Sequence, residues 1–161
     1  MNSPRPHTWE DLEAFKEALK DKGLKATRQR VAVHEVMMEL GHASADMVRD
    51  QIQKKGTAKV TTASVYNILA QMALLGIYSH RLSIGGKMFF DVNPSCRLHL
   101  YDPQAGLYVD LEDEELTEMV ETRCKRRRFK GYKVDAVDIQ IICHPAQPKT
   151  PAQPKTTIKK K

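Results

Sequence analysis

Apolar positions recur at three- and four-residue spacing through the first half of the chain, then give way to short alternating runs after residue 77. The clearest helical stretch is 60–77. Thr61 or Thr62 caps it, because a side-chain oxygen there accepts from the unpaired amides of the first turn. Val65, Ile68, Leu69, Met72 and Leu75 form one apolar face, and Gly76 stops the helix. The opposite face carries Ala63, Ser64, Tyr66, Asn67 and Ala70, small or flat hydrogen-bonding residues that let a helix N-terminus approach a DNA major groove. The same pattern fits a buried helix with a neutral outer face, so the surrounding elements decide.

Three helices precede it. Thr8-Trp9-Glu10-Asp11 reads as a capped start, with Trp9, Leu12, Phe15 and Leu19 on one face and Gly23 as the stop. Thr27 caps a second helix running to Leu40, with Val33, Met37 and Leu40 in a stripe and Gly41 closing it. Ser44-Ala45-Asp46-Met47 opens a third, amphipathic through Met47, Val48 and Ile52 and ending near Gly56. After the fourth helix, 77–84 and 87–92 are β-prone runs around Gly85-Gly86, a pair expected to supply the positive φ angles of a tight hairpin. Helices followed by a hairpin is the order of a winged helix-turn-helix.

A second unit follows. Runs at 98–101 and 107–111 flank a turn at Asp102-Pro103-Gln104-Ala105-Gly106, and 113–128 reads as a helix with acids at its start and Lys125-Arg126-Arg127-Arg128 at its end, matching the helix dipole. The run 132–143 reads as one long strand. The expected fold is α+β: an N-terminal winged helix-turn-helix over 1–84, its wing hairpin running to about 92, then a small β-β-α-β dimerisation domain over 93–144. So small a sheet has an edge to protect, and pairing with a second copy would cover it.

Composition adds limits. The formal charge is +6, but 145–161 holds five lysines and no acid, so the remainder is close to neutral and global basicity is a tail property. That tail repeats Ala-Gln-Pro-Lys-Thr and has too little apolar content to fold, which predicts a disordered basic extension; it suits either a non-specific hold on phosphate or simple solubility. No run is apolar over the ~20 residues that a membrane span needs, the N-terminus lacks a signal-peptide core, and three cysteines without a Cys-x-x-Cys pair argue against a disulfide framework. A cytoplasmic protein is expected.

By these pieces the chain resembles the ferric uptake regulator family across roughly 19–143. The matching segments are Gly23-Leu24-Lys25-Ala26-Thr27-Arg28-Gln29-Arg30, His42-Ala43-Ser44-Ala45-Asp46, Thr62-Ala63-Ser64-Val65-Tyr66-Asn67-Ile68-Leu69 with Leu75-Gly76-Ile77, and Phe90-Asp91. The resemblance implies a dimeric, metal-responsive repressor bound to double-stranded operator DNA. It implies base contact from Tyr66 with Asn67 beside it, DNA contact from Thr62 and Ser64 at the start of the same reading helix, and phosphate contact from Arg28 with Lys25 or Lys59. For Arg28 the alternative is an exposed helix start, and for Tyr66 core packing.

The family's regulatory metal site falls on His42, Asp91, His99 and Asp110, with Arg97 where a further histidine belongs. Imidazole and carboxylate suit Fe(II), Mn(II) or Zn(II), whereas guanidinium only donates and cannot ligate. Four ligands suffice if Arg97 points away. Alternatively Arg97 replaces the ion, pairing with Asp91 or Asp110 in a metal-independent regulator. Cys96 is either an added thiolate or an inert buried thiol. The structural zinc site of many members needs two Cys-x-x-Cys pairs, absent here, so no structural zinc is expected. That lack, with Val65-Tyr66-Asn67 and Gly131-Tyr132, looks closer to the iron response regulator branch, whose members respond to haem and iron; no Cys-Pro haem motif is present. Two other classes stand against a regulator that senses metal or peroxide. One is a thiol or metal-dependent enzyme around Cys96 and His99, and the other a DNA-architectural module driven by its tail.

Overall fold

The computed structural model describes residues 11–95, 98–127 and 129–146; Thr8, Trp9, Cys96, Arg97, Arg128 and most of the tail, on which the sequence raised expectations, lie outside them. The first helix, α1 (Leu12–Asp21), is capped by Asp11, whose carboxylate accepts from the Glu13 amide at 2.9 Å. Thr27 caps α2 (Arg28–Leu40) as its position predicts. A two-residue strand, β1 (His42–Ala43), then precedes α3 (Ala45–Lys55). Two residues are too few to alternate, so the sequence gives no sign of β1. The fourth helix, α4 (Thr62–Leu74), begins with a full capping box: the Ser64 amide donates to the Thr61 hydroxyl at 3.1 Å, and the Thr61 amide to the Ser64 hydroxyl at 2.9 Å.

These helices exist as a set because each buries one stripe against the others. Phe15 and Leu19 of α1, Val33 and Met37 of α2, Val48 and Ile52 of α3, and Val65, Leu69 and Met72 of α4 join one core. Tyr78 and Phe90 close it from the hairpin side. The hairpin pairs β2 (Ser79–Leu82) with β3 (Met88–Asp91), and β1 adds to the other side of β3, giving the order β1-β3-β2. The Gly86 amide donates to the Ser83 carbonyl at 2.9 Å, and only Gly86 takes a positive φ (77°). A single left-handed glycine therefore closes a three-residue loop, where the sequence suggested two.

The second sheet has the order β5-β4-β6. Strands β4 (Leu98–Asp102) and β5 (Leu107–Asp110) are antiparallel, and β6 (Ile139–Ile142) returns parallel to β4 after α5 (Glu114–Arg126). The long strand expected over 132–143 is corrected to Ile139–Ile142. Among the described residues β6 pairs with β4 from Leu98 to Tyr101, and the earlier part of the run forms a single bridge, Phe129 to Tyr132. Asp113 caps α5, with acids in its first turn and basic residues in its last, yet no residue of α5 is buried.

Leu69 is wholly buried and Leu74 is 86% exposed on the same helix. Leu69→Ala should cost about 2–5 kcal/mol of unfolding free energy and Leu74→Ala less than about 0.5. Urea denaturation followed by circular dichroism measures both; equal losses would contradict this assignment of the α4 faces.

Candidate metal centre

Each sheet contributes one cross-strand His–Asp pair. His42 sits opposite Asp91 on β1 and β3, and His99 opposite Asp110 on β4 and β5. β1 packs against β5, so the two pairs face each other. One ligand atom from each of the four residues lies within 4.8 Å of the others. The His42 ring has Nε2 2.6 Å from Asp110 Oδ1 and Nδ1 3.6 Å from Asp91 Oδ2. His99 Nε2 is 3.5 Å from Asp91 Oδ2 and 3.3 Å from Asp110 Oδ1. His99 is fully buried, Asp91 and His42 are buried, and the Asp110 side chain is about one-third exposed (34%).

The donor set fits a divalent ion. His42 Nδ1 and both ring nitrogens of His99 are buried without a well-directed hydrogen bond, although carboxylate oxygens surround them. Such groups are costly to leave unmatched. Two imidazoles and two carboxylates converging on one point are a ligand set for Mn(II), Fe(II) or Zn(II).

Two further charged residues, Arg81 and Asp138, escaped sequence reasoning. Asp138 Oδ1 lies 3.4 Å from His99 Nδ1, an arrangement that orients the ring with Nε2 toward the centre. Arg81 reaches Asp91 Oδ2 at 3.5 Å and Asp138 Oδ1 at 3.8 Å, with its guanidinium 5.5 Å from the centre of the Tyr108 ring. A signal existed for each: Arg81 is an arginine at an inward position of an alternating strand, and Asp138 an acid within an apolar run. Arg97, the residue singled out in the sequence, lies outside the described residues, as does Cys96.

Burial by itself lowers the pKa of His99, but the carboxylates of Asp110, Asp138 and Asp91 outweigh it and push it up to about 10. Burial raises Asp110, and the hydrogen bonds and charges of His42 and His99 outweigh that and hold it well below the usual carboxylate range. The His99 contribution to folding is therefore complete below its ordinary value near 6.5 and fades as pH rises through about 10. That of Asp110 is present above its ordinary 3.8 and fades as pH falls through its depressed value.

Most of the residues proposed from the sequence to meet DNA lie exposed on the surface. Tyr66 and Asn67 of α4 are exposed, Tyr66 by 43%, with its ring edge-on to Phe90 at 5.8 Å. Lys25, Arg28 and Lys59 are exposed too. Arg28 Nε donates to the Thr57 carbonyl at 2.8 Å and Gln29 Nε2 to the Lys59 carbonyl at 2.7 Å, which ties the start of α2 to the loop before α4. The Ser64 hydroxyl is engaged in the capping box. The Thr62 hydroxyl accepts from Arg49 at 2.5 Å and donates to Asp46 at 3.4 Å.

An ion coordinated through His99 Nε2 must displace a proton there. Binding of Mn(II) or Zn(II) at pH 7.5 should release about one proton from His99, and affinity should fall by about tenfold per pH unit as pH is lowered toward 6. Calorimetric titration in buffers of differing ionisation enthalpy measures this; binding with no proton release would contradict the assignment of His99.

Residues 21–141 match the sequence profile of the ferric uptake regulator family. Comparison with curated proteins finds no match. The fold is similar to that of the ferric uptake regulator of Vibrio cholerae, with TM-score 0.68 and 24% identity over 80% of this chain and 98% of that one. It is similar to the Pseudomonas aeruginosa regulator determined with manganese, with TM-score 0.62 and 24% identity over 81% and 97%. A third neighbour, the Helicobacter pylori regulator, is described as having three functional metal binding sites; it gives TM-score 0.64 and 21% identity over 86% and 91%. The profile match spans most of the chain and removes the thiol or metal-dependent enzyme from consideration, because the family consists of transcription regulators. This chain belongs to the ferric uptake regulator family.

Proposed function

We propose that the protein is a cytoplasmic, dimeric, sequence-specific repressor whose hold on operator DNA responds to a divalent ion, Fe, Mn or Zn, taken up by His42, Asp91, His99 and Asp110. The convergence of one His–Asp pair from each sheet carries this reading. When bound, such an ion supplies a double positive charge that offsets the carboxylates and couples the sheets. His42 and Asp91 belong to the sheet that ends in the wing, and Phe90, next to Asp91, touches Tyr66. Fixing β1 and β3 against β4 and β5 thereby fixes the angle at which α4 is presented.

In this reading 1–84, with the wing hairpin to about 92, is the DNA-binding unit, 93–144 the dimerisation and sensing unit, and 145–161 a basic tail. Tyr66 and Asn67 read bases from α4, while Lys25, Arg28 and Lys59 hold phosphate at the adjoining helix start and loop. Thr62 and Ser64 add DNA contacts at the N-terminus of the same helix, Ser64 also completing its cap and Thr62 tying it to Arg49 and Asp46 of α3. A second copy is supported by apolar surface left open on the second sheet and α5: Leu107, Val109, Met119 and Ile142 are each about half exposed. Two copies joined there present two α4 helices to a two-fold site.

Selection from random duplex DNA with the full chain and Mn(II) tests this. A two-fold symmetric site should be enriched, chelation or His99→Ala should change affinity for it at least about tenfold, and sedimentation should report a dimer. Tyr66→Ala and Arg28→Ala should each weaken binding to that site by about 1–3 kcal/mol with unchanged circular dichroism. Failure to enrich any sequence, or full binding by both variants, would contradict the proposal.

A further inference from the structure

Asp91 Oδ2 is the most contested atom of the centre. It faces His42 Nδ1 at 3.6 Å, His99 Nε2 at 3.5 Å and Arg81 Nη2 at 3.5 Å. The Arg81 side chain is only 8% exposed, and its Nε and Nη1 have no hydrogen-bond partner among the described residues. A guanidinium stays charged at any accessible pH, so this cation is permanent. Its depth is explained by what surrounds it: the carboxylates of Asp91 and Asp138 on one side and the face of Tyr108 on the other. The stretch carrying Asp138 follows α5, while Arg81 lies on β2 of the wing sheet, so the contact also bridges the two halves.

We propose that Arg81 is a resident cation of this centre and sets its affinity for divalent metal low, by repelling an ion drawn to the same Asp91 oxygen. The inference rests on reading the cluster as a metal centre. It assigns to a wing residue the compensating charge that the sequence suggested for Arg97. Charge counting supports it. With both imidazoles neutral, as ligation requires, Asp91, Asp110 and Asp138 carry three negative charges, and Arg81 reduces them to two, the number a divalent ion neutralises. Without Arg81 the centre keeps a surplus negative charge, which favours the ion. A unit charge a few ångströms from the ion, at the effective dielectric of a protein site, corresponds to a change in affinity of about tenfold or more.

The test is a competition titration of the full-length protein with Mn(II) and Zn(II) against a chromophoric chelator, comparing wild type with Arg81→Gln, Arg81→Met and Arg81→Lys. The two uncharged variants should bind about ten- to a hundredfold more tightly, and the lysine variant should stay near wild type. A merely structural role predicts weaker binding on substitution, because damage to the site cannot raise affinity. Two uncharged variants guard against one failing to fold, with circular dichroism as the check. Tight binding by Arg81→Gln alongside negligible binding by wild type would support the inference in its strongest form. Binding by wild type that the folded uncharged variants match or weaken would overturn it and leave the metal centre standing. No binding by any of the proteins at millimolar ion would overturn the metal-centre reading, and this inference with it.

Discussion

Charge balance at a buried point organises this molecule. Asp91, Asp110 and Asp138 are drawn together by the packing of two sheets, and like charges so close are tolerable only with cations among them. Arg81 and the His99 imidazole supply that compensation from within the chain. The register of both ladders follows from the same requirement. A one-residue slip in the β1–β3 or β4–β5 pairing would turn a histidine or its carboxylate to the far side of its sheet.

That constraint joins two bodies that are otherwise different in kind. The helical half is held by an apolar core to which all four helices and the hairpin contribute, and it needs nothing from the centre to close. The second sheet is small, no residue of its helix is buried, and beside its buried Leu98, Tyr101 and Tyr108 it leaves Leu107, Val109 and Ile142 about half exposed. A charged centre between a self-sufficient unit and an incomplete one is well placed to set their angle. Apolar packing is present there too, Phe89 of β3 against Tyr101 and Tyr108, but the ionic groups beside it can be compensated in more than one way.

Much of this was legible in the residues. The four helices, the hairpin, the β4–β5 pair and α5 follow from capping residues, stop glycines and period, because their signals are local. His42, Asp91, His99 and Asp110 came from the family resemblance, and the structure brings those four together. The failures are non-local. The 132–143 run has the alternation of a strand, but alternation does not say how much partner is available, and among the described residues β4 pairs with Ile139–Ile142 alone. β1 exists only because β3 passes alongside it. Arg81 and Asp138 stand apart in sequence from the ligands they touch, so only the fold shows that the charge beside Asp91 comes from the wing.

The convergence of two imidazoles on one ion is most directly tested by X-ray absorption at the metal edge of the Zn(II)- or Mn(II)-loaded protein. Two nitrogen ligands of imidazole type with carboxylate oxygens are expected, one imidazole being lost in His99→Ala. A sulfur ligand at about 2.3 Å, or a spectrum that His99→Ala leaves unaltered, would place the ion elsewhere and contradict the centre described.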